Sequence, residues 1–245
     1  MTKVALFPTC VVDAVAPEVG FATARVLARR GCDVSVAERT TCCGQPAWNS
    51  GFTQPAAMVA RTTLAGIEEA LVDNDVVVVP AGSCATMIKV FWPELFEIER
   101  DPDSARRARA VADRVVELSS FLCGPERAAP SHTRKEDAVR YHPSCHMLRE
   151  LGIKDEPCDA LGDAGYDVAR GPERCCGFGG MFSVKLPETS IAMADDVLDA
   201  ALADGATDIV AADSSCLMQL RTRAEARGLN LRFRHLAVAV DDAER

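Results

Sequence analysis

Apolar positions along this chain follow two periods that alternate. Lys3 to Phe7 is a short, mostly apolar run with the length of a buried strand. From Pro17 to Arg30 the apolar residues Val19, Ala22, Val26 and Leu27 fall at helical spacing, and Gly31 stands where a glycine ends a helix. Asp33 to Ala37 reads as a second strand, residues 56–71 as a helix, and Val76-Val77-Val78-Val79 as a third strand. The order β-α-β-α-β predicts a parallel sheet. A second series follows: strand Val139 to His142, a weaker helix within Cys158 to Ala164, strand Tyr166 to Ala169, helix Thr189 to Leu202, strand Asp208 to Ala211. Pro102 to Phe121 reads as a helical connector, and residues 128–132 as a linker. The expected fold class is α/β, an internal duplication of two Rossmann-like modules. The first spans 1–130 with the connector, and the second spans 131–245.

Landmark residues support the duplication. Phe7-Pro8-Thr9-Cys10 returns as His142-Pro143-Ser144-Cys145, and Gly31-Cys32-Asp33-Val34 as Gly165-Tyr166-Asp167-Val168. Cys42-Cys43-Gly44 returns as Cys175-Cys176-Gly177, and Ser83-Cys84 as Ser215-Cys216. The order is kept and the offset stays nearly constant. Each half thus carries one quartet: Cys10, Cys42, Cys43 and Cys84, then Cys145, Cys175, Cys176 and Cys216.

Composition narrows the chemistry. Lys+Arg number 27 against 36 Asp+Glu, a formal net charge of −9, which disfavours nucleic acid and anionic membrane surfaces as partners. No apolar stretch approaches the ~20 residues of a membrane-spanning helix, and the N-terminal residues lack the features of a signal peptide. The expected location is the cytoplasm. Eleven cysteines, an odd count, argue there for metal or redox chemistry over a disulfide framework. Cys32, Cys123 and Cys158 stand outside the quartets and read as small core residues.

In a parallel sheet each quartet falls beyond the carboxyl ends of strands, where helix N-termini offer free N–H groups to anionic sulfur. Three chemistries remain open. Four thiolates suit an iron–sulfur cluster. They also suit structural zinc, although the usual Cys-x2–4-Cys knuckle is missing. A thiol–disulfide catalyst using the vicinal pair is the third, without the Cys-x-x-Cys motif. Gly44 and Gly177 permit close backbone approach after each pair. His142 and His146 flank Cys145 as potential hydrogen-bond partners or ligands. Arg174 and Lys185 bracket the second pair as candidate counter-charges, and Asp195-Asp196 and Asp241-Asp242 read as solvated faces. The apolar Phe178-Gly179-Gly180-Met181-Phe182 predicts that the second quartet faces a partner or substrate. The stiffer, more polar Gln45-Pro46-Ala47-Trp48 predicts the first as an inner relay.

These motifs, with Tyr141-His142-Pro143-Ser144-Cys145-His146 and Cys175-Cys176-Gly177-Phe178-Gly179-Gly180, resemble the cysteine-rich CCG-domain family. That family includes the cysteine-rich chain of heterodisulfide reductase and the iron–sulfur chains of glycolate oxidase and anaerobic glycerol-3-phosphate dehydrogenase. Over nearly the whole chain the likeness is to its lactate-utilization branch. The resemblance implies an electron-transfer subunit that helps oxidise L-lactate to pyruvate beside two companion proteins, one a ferredoxin-like iron–sulfur protein. It implies one or two clusters, most simply [4Fe-4S], held by the eight quartet cysteines. A metal-stabilised assembly module (zinc being the alternative metal) and a heterodisulfide-type reductase subunit are the alternatives. The fullest family pattern has a fifth cysteine in Cys-x-x-Cys. Here the flanking positions are Ala81 and Met87 in one half, Asp213 and Gln219 in the other.

Overall fold

The computed structural model describes residues 1–125 and 138–245; the expected linker at 128–132 lies outside them. Strands β1 (Lys3–Leu6), β2 (Asp33–Val36), β3 (Val76–Val79) and β4 (Val115–Glu117) form one sheet in the order β2-β1-β3-β4. Strands β5 (Ala138–His142), β6 (Asp167–Arg170), β7 (Asp208–Ala211) and β8 (Arg232–His235) form a second in the order β6-β5-β7-β8. Every pairing is parallel. The helices of the first half are α1 (Cys10–Val15), α2 (Pro17–Arg29), α3 (Gln45–Trp48), α4 (Thr53–Asp73), α5 (Gly82–Thr86), α6 (Trp92–Ile98), α7 (Pro102–Ala112) and α8 (Leu118–Leu122). Those of the second are α9 (Glu156–Asp163), α10 (Met181–Lys185), α11 (Pro187–Ala203), α12 (Ser214–Ala226) and α13 (Leu236–Ala243).

Side-chain alternation along the strands divides the interior into three. Val77 and Val79 of β3 pack outward with Ala60, Leu64 and Ile67 of α4 and Trp92, Leu95 and Phe96 of α6. Ile209 and Ala211 of β7 pack outward with Val197 and Leu198 of α11 and Leu220 of α12. The opposite faces, through Val4, Val78, Val139, Tyr141 and Val210, meet a single shared core with α2, α8, α9 and α13. The period-two pleat therefore commits each sheet to two different cores. The halves are joined by packed helices, α2 on α13 and α8 on α9. These pairs are equivalent under the duplication, since α2 and α9 each follow the first strand of their half, and α8 and α13 the last.

The two sheets and their quartets match the predicted class, and the aliphatic strands lie within a residue or two of their expected ends. The connector differs. Pro102–Ala112 is helical, with Asp101 capping it by accepting from the Ser104 amide at 3.0 Å. Val115–Glu117 then forms an edge strand, and Leu118–Leu122 a separate short helix. Tertiary pairing of Val77 with Val115 overrides the local helical pattern. The second edge strand, β8, also departs from the sequence pattern, because Arg232-Phe233-Arg234-His235 alternates charge with a single apolar residue.

Asp241 is not on a solvated face. Its side chain is fully buried, and it accepts from Arg25 and Arg29 of α2, each at 2.6 Å, and from Arg245 at 2.7 Å. These guanidiniums, Arg25 foremost, hold its carboxyl well below the usual range. Asp195 does keep to the outer surface, paired with Arg223 and Arg227. Cys32 is buried in the shared core, with Cys123 and Cys158 packed against it, as expected of small apolar residues.

Glu117 ends β4 and caps α8, accepting from the amides of Ser119 at 2.7 Å and Ser120 at 3.2 Å. Its other oxygen, Oε1, is buried without a hydrogen-bond partner. Burial lifts this carboxyl from 4.5 to about 7; the Ser119 and Ser120 donors oppose the rise and Asp213 adds to it. A raised acid favours folding below its unfolded value, and that contribution is lost as pH climbs through about 7. Glu117→Gln should therefore gain stability relative to the parent between pH 5 and pH 8, by about 1–3 kcal/mol. Denaturant melts of both proteins at the two pH values check this; a constant difference would contradict it.

Candidate metal centre

Three parallel strands deliver each quartet to one sheet edge. In the first half Cys10 follows β1 and opens α1, Cys42 and Cys43 follow β2, and Cys84 follows β3 in the first turn of α5. In the second, Cys145 follows β5, Cys175 and Cys176 follow β6, and Cys216 follows β7 in the first turn of α12. The sulfurs converge from three separate loops in each half. Cys10 Sγ lies 3.5 Å from Cys42 Sγ, and Cys43 Sγ lies 3.2 Å from Cys84 Sγ. Corresponding thiol contacts link Cys145 to Cys175, Cys175 to Cys176, and Cys176 to Cys216. None of the eleven cysteines, all among the described residues, is in a disulfide. Burial also repeats: Cys43, Cys84, Cys176 and Cys216 are buried, while Cys10, Cys42, Cys145 and Cys175 are half-buried.

The electrostatics repeat as well. Hydrogen bonds from Cys10 and Cys43 pull Cys42 down to about 3, assisted by the Gly44 amide. Hydrogen bonds from Cys145 and Cys176 pull Cys175 down to about 2, assisted by the Gly177 amide. Cys10 and Cys145 are driven up because each donates its proton to that neighbour, and burial adds to the effect. In each half the hydrogen bonds favour ionisation of the first cysteine of the pair and oppose that of its neighbours Cys10 and Cys43, or Cys145 and Cys176, because further charge would be crowded into a buried space. A bound cation removes that obstacle, since metal ligation takes thiols in their deprotonated form. The donor set fits a soft, thiolate-bound metal or cluster.

The glycine after each pair is required by both space and backbone angle. Gly44 has φ +89° and Gly177 φ +83°. A Cβ at Gly44 would lie 2.8 Å from the Ala56 carbonyl of α4, and one at Gly177 would collide with the Ser190 carbonyl of α11. Each glycine amide points at the first sulfur of its own pair, at 3.4 Å from Cys42 and Cys175 respectively. The carbonyls of the first pair are anchored too: Thr63 Oγ1 donates to Cys42 O at 2.8 Å, and Trp92 Nε1 donates to Cys43 O at 2.8 Å.

The surroundings of the two quartets differ. A cleft of about 130 Å3 opens at the second, lined by Cys145, Cys175, Cys176 and Cys216 and roofed from the first half by Gln45, Pro46 and Asn49. Asp213, fully buried, closes its floor and accepts from Ser83 Oγ at 2.5 Å and Ser144 Oγ at 2.6 Å, one serine from each half. Desolvation raises its carboxyl, and the two serines oppose the rise. Asp213 therefore ties the halves together. His146 Nδ1 lies 3.4 Å from Gln45 Nε2 across the same seam. His142 is buried beside Cys176 and Cys216, with neither ring nitrogen hydrogen-bonded. Burial lowers its pKa to about 4, so the ring is neutral at pH 7.

Cys10 and Cys42 line an open surface depression of about 570 Å3 with Pro8, Glu38 and Thr41. Gln45, Pro46 and Asn49, which follow Cys43, turn toward the second site's cleft. Met181 of the second loop is exposed, in keeping with a contact surface, while Phe178 is half-buried against the outer core. Arg174 pairs with Asp196 at 3.9 Å, and Lys185 Nζ sits 5.2 Å over the Phe52 ring. Both therefore serve surface contacts.

Gly44→Ala and Gly177→Ala should each destabilise the fold by about 2–4 kcal/mol, combining positive-φ strain with steric collision. Gly31→Ala is the control, with φ +76° and nothing within 4 Å of the added Cβ; it should lose only about 1 kcal/mol. Thermal melts of the three variants check the ranking.

The geometry agrees with comparisons to known proteins. The cysteine-rich domain called CCG matches residues 4–89 and again 139–221. A protein of an Exiguobacterium species named Lactate utilization protein A is 37% identical over 245 residues, covering 99% of this chain and 98% of its own. The protein of that name from Bacillus cytotoxicus is 38% identical over 238 residues, covering 96% and 97%. One from a Geobacillus species is 37% identical over the same length. Among solved structures, a putative Asp/Glu racemase from Yersinia pestis covers 99% of this chain and 97% of its own at 11% identity, with a TM-score of 0.37. The family domain falls once on each half, around each quartet, and the relatives align from end to end: the chain belongs to the cysteine-rich CCG-domain family.

Proposed function

We propose that this protein is the iron–sulfur electron-transfer subunit of a complex that oxidises L-lactate to pyruvate. The observation that carries the reading is the convergence of two equivalent cysteine quartets in a chain whose full-length relatives are named for lactate utilization. Each module, 1–130 and 131–245, holds one cluster. Cys10, Cys42, Cys43 and Cys84 ligate the first, most simply a [4Fe-4S] group, and Cys145, Cys175, Cys176 and Cys216 the second. Such a cluster supplies one-electron redox chemistry when bound. The chain's own part is to fix the sulfurs, exclude water from the inner pair of each quartet, and aim the Gly44 and Gly177 amides at sulfur, a contact that raises potential.

Lactate oxidation releases two electrons and two protons. The hydride acceptor resides in a companion subunit, and a ferredoxin-like iron–sulfur companion exchanges electrons with this chain. Helix α10 has no buried residue and exposes Met181 and Val184 beside the second cleft, which suits a docking face for such a partner. Among the described residues no helix is long and apolar enough to cross a membrane. The reducing cytoplasm, which keeps thiols free for metal, is the compartment the reading requires.

The test is an anaerobic assay with the isolated chain and with the complex purified from its own host. The chain alone should form no pyruvate from L-lactate with an artificial acceptor. The complex should, and L-lactate should reduce its clusters. In that complex Cys43→Ser and Cys176→Ser should lose cluster absorbance and at least about tenfold in turnover, as expected when a metal ligand is lost, while Cys32→Ser keeps both. Turnover by the chain alone, or full iron in Cys43→Ser, would overturn the assignment.

A further inference from the structure

The two quartets are alike in sulfur and unlike in what stands behind it. Strand register allows the comparison residue by residue: Leu6 lies opposite Val78 in the first sheet, and Tyr141 opposite Val210 in the second. The next residues are Phe7 beside Val79 and His142 beside Ala211. Phe7 is fully buried in the outer core of its half, the same cluster that contains Cys43 and Cys84. His142, at 2% exposure, occupies that place in the second half, and one of its ring nitrogens lies within 4.8 Å of both Cys176 Sγ and Cys216 Sγ.

A buried imidazole with both nitrogens unpartnered has given up its hydration without replacement. Buried polar groups in folded proteins are almost always satisfied, so such a group points to an absent partner. Among the described residues, the ligating atoms that gather with it are two buried sulfurs, and imidazole and thiolate are joint ligands for iron and zinc. His146, by contrast, already has Gln45 and Glu150 as neighbours, the latter at 3.7 Å.

We propose that His142 is a metal ligand of the second centre, a fifth donor that joins its four cysteines on the side of Cys176 and Cys216, and that the first centre, with Phe7 in this place, is bound by sulfur alone. The proposal rests on the quartets being iron–sulfur sites. A nitrogen ligand in a cluster otherwise held by thiolates raises its potential. The duplicated modules would thus differ in potential, with the second centre the stronger electron acceptor.

The experiment is pulsed EPR on the full chain, loaded anaerobically with ferrous iron and sulfide and reduced with dithionite, with and without 15N-histidine. Iron content is measured in every sample. The parent should show a strongly coupled nitrogen that changes isotope with the label. His142→Phe, which copies the first half, and His142→Asn should both lose that coupling while keeping the iron of the first centre. Phe7→His should add a second coupled nitrogen. Iron uptake by the parent without a histidine coupling, or a coupling that survives in His142→Asn, overturns the proposal alone. A parent that takes up no iron overturns it together with the reading of the quartets.

Discussion

Parallel pairing of β2 with β1 and of β1 with β3 puts three loop openings on one sheet edge, and the site of each half depends on it. No local stretch of this chain could gather Cys10, Cys42, Cys43 and Cys84 by itself. The crossover helices set the distances: α2 carries the chain back under the shared core, and α4 returns it over the outer face. The left-handed glycine after each pair then turns the second cysteine inward, and the following helix carbonyl leaves no room for a side chain there. The same arrangement recurs in the second half through β6, β5 and β7.

Duplication alone would give two modules that need not touch. What joins them here is a layer of four helices that neither sheet could cover unaided, and a set of buried polar links through it. Asp241 gathers arginines from α2, and Asp213 gathers a serine from each half within the cleft. Gly82 leaves no space for a Cβ against Met147 of the other half, so the seam is close-packed at the point where the two sites approach it. The segment after Cys43 contributes directly to the roof over the second quartet.

Much of this is legible from residues alone. The offset between repeats falls only from 135 at Cys10 and Cys145 to 132 at Cys84 and Cys216, and it marks both quartets along the chain. Central strands are visible as aliphatic runs, since they are buried on both faces. Two of the four edge strands are not: Val115–Glu117 is three residues long, and β8 is half arginine. Asp241 reads as polar surface because its partner Arg25 is 216 residues away, and no local pattern encodes that meeting. The exchange of Phe7 for His142 is in plain view within the repeated motif. Its meaning needs the burial of the ring and the lack of a hydrogen-bond partner at either nitrogen.

The proposed function needs two iron–sulfur sites in one chain, one in each half. Iron and acid-labile sulfide per chain, measured on protein isolated anaerobically, test this most directly. Two four-iron clusters predict about eight of each. Stoichiometric zinc without sulfide would contradict the chemistry assigned to the quartets, and about four irons would contradict a cluster in each half.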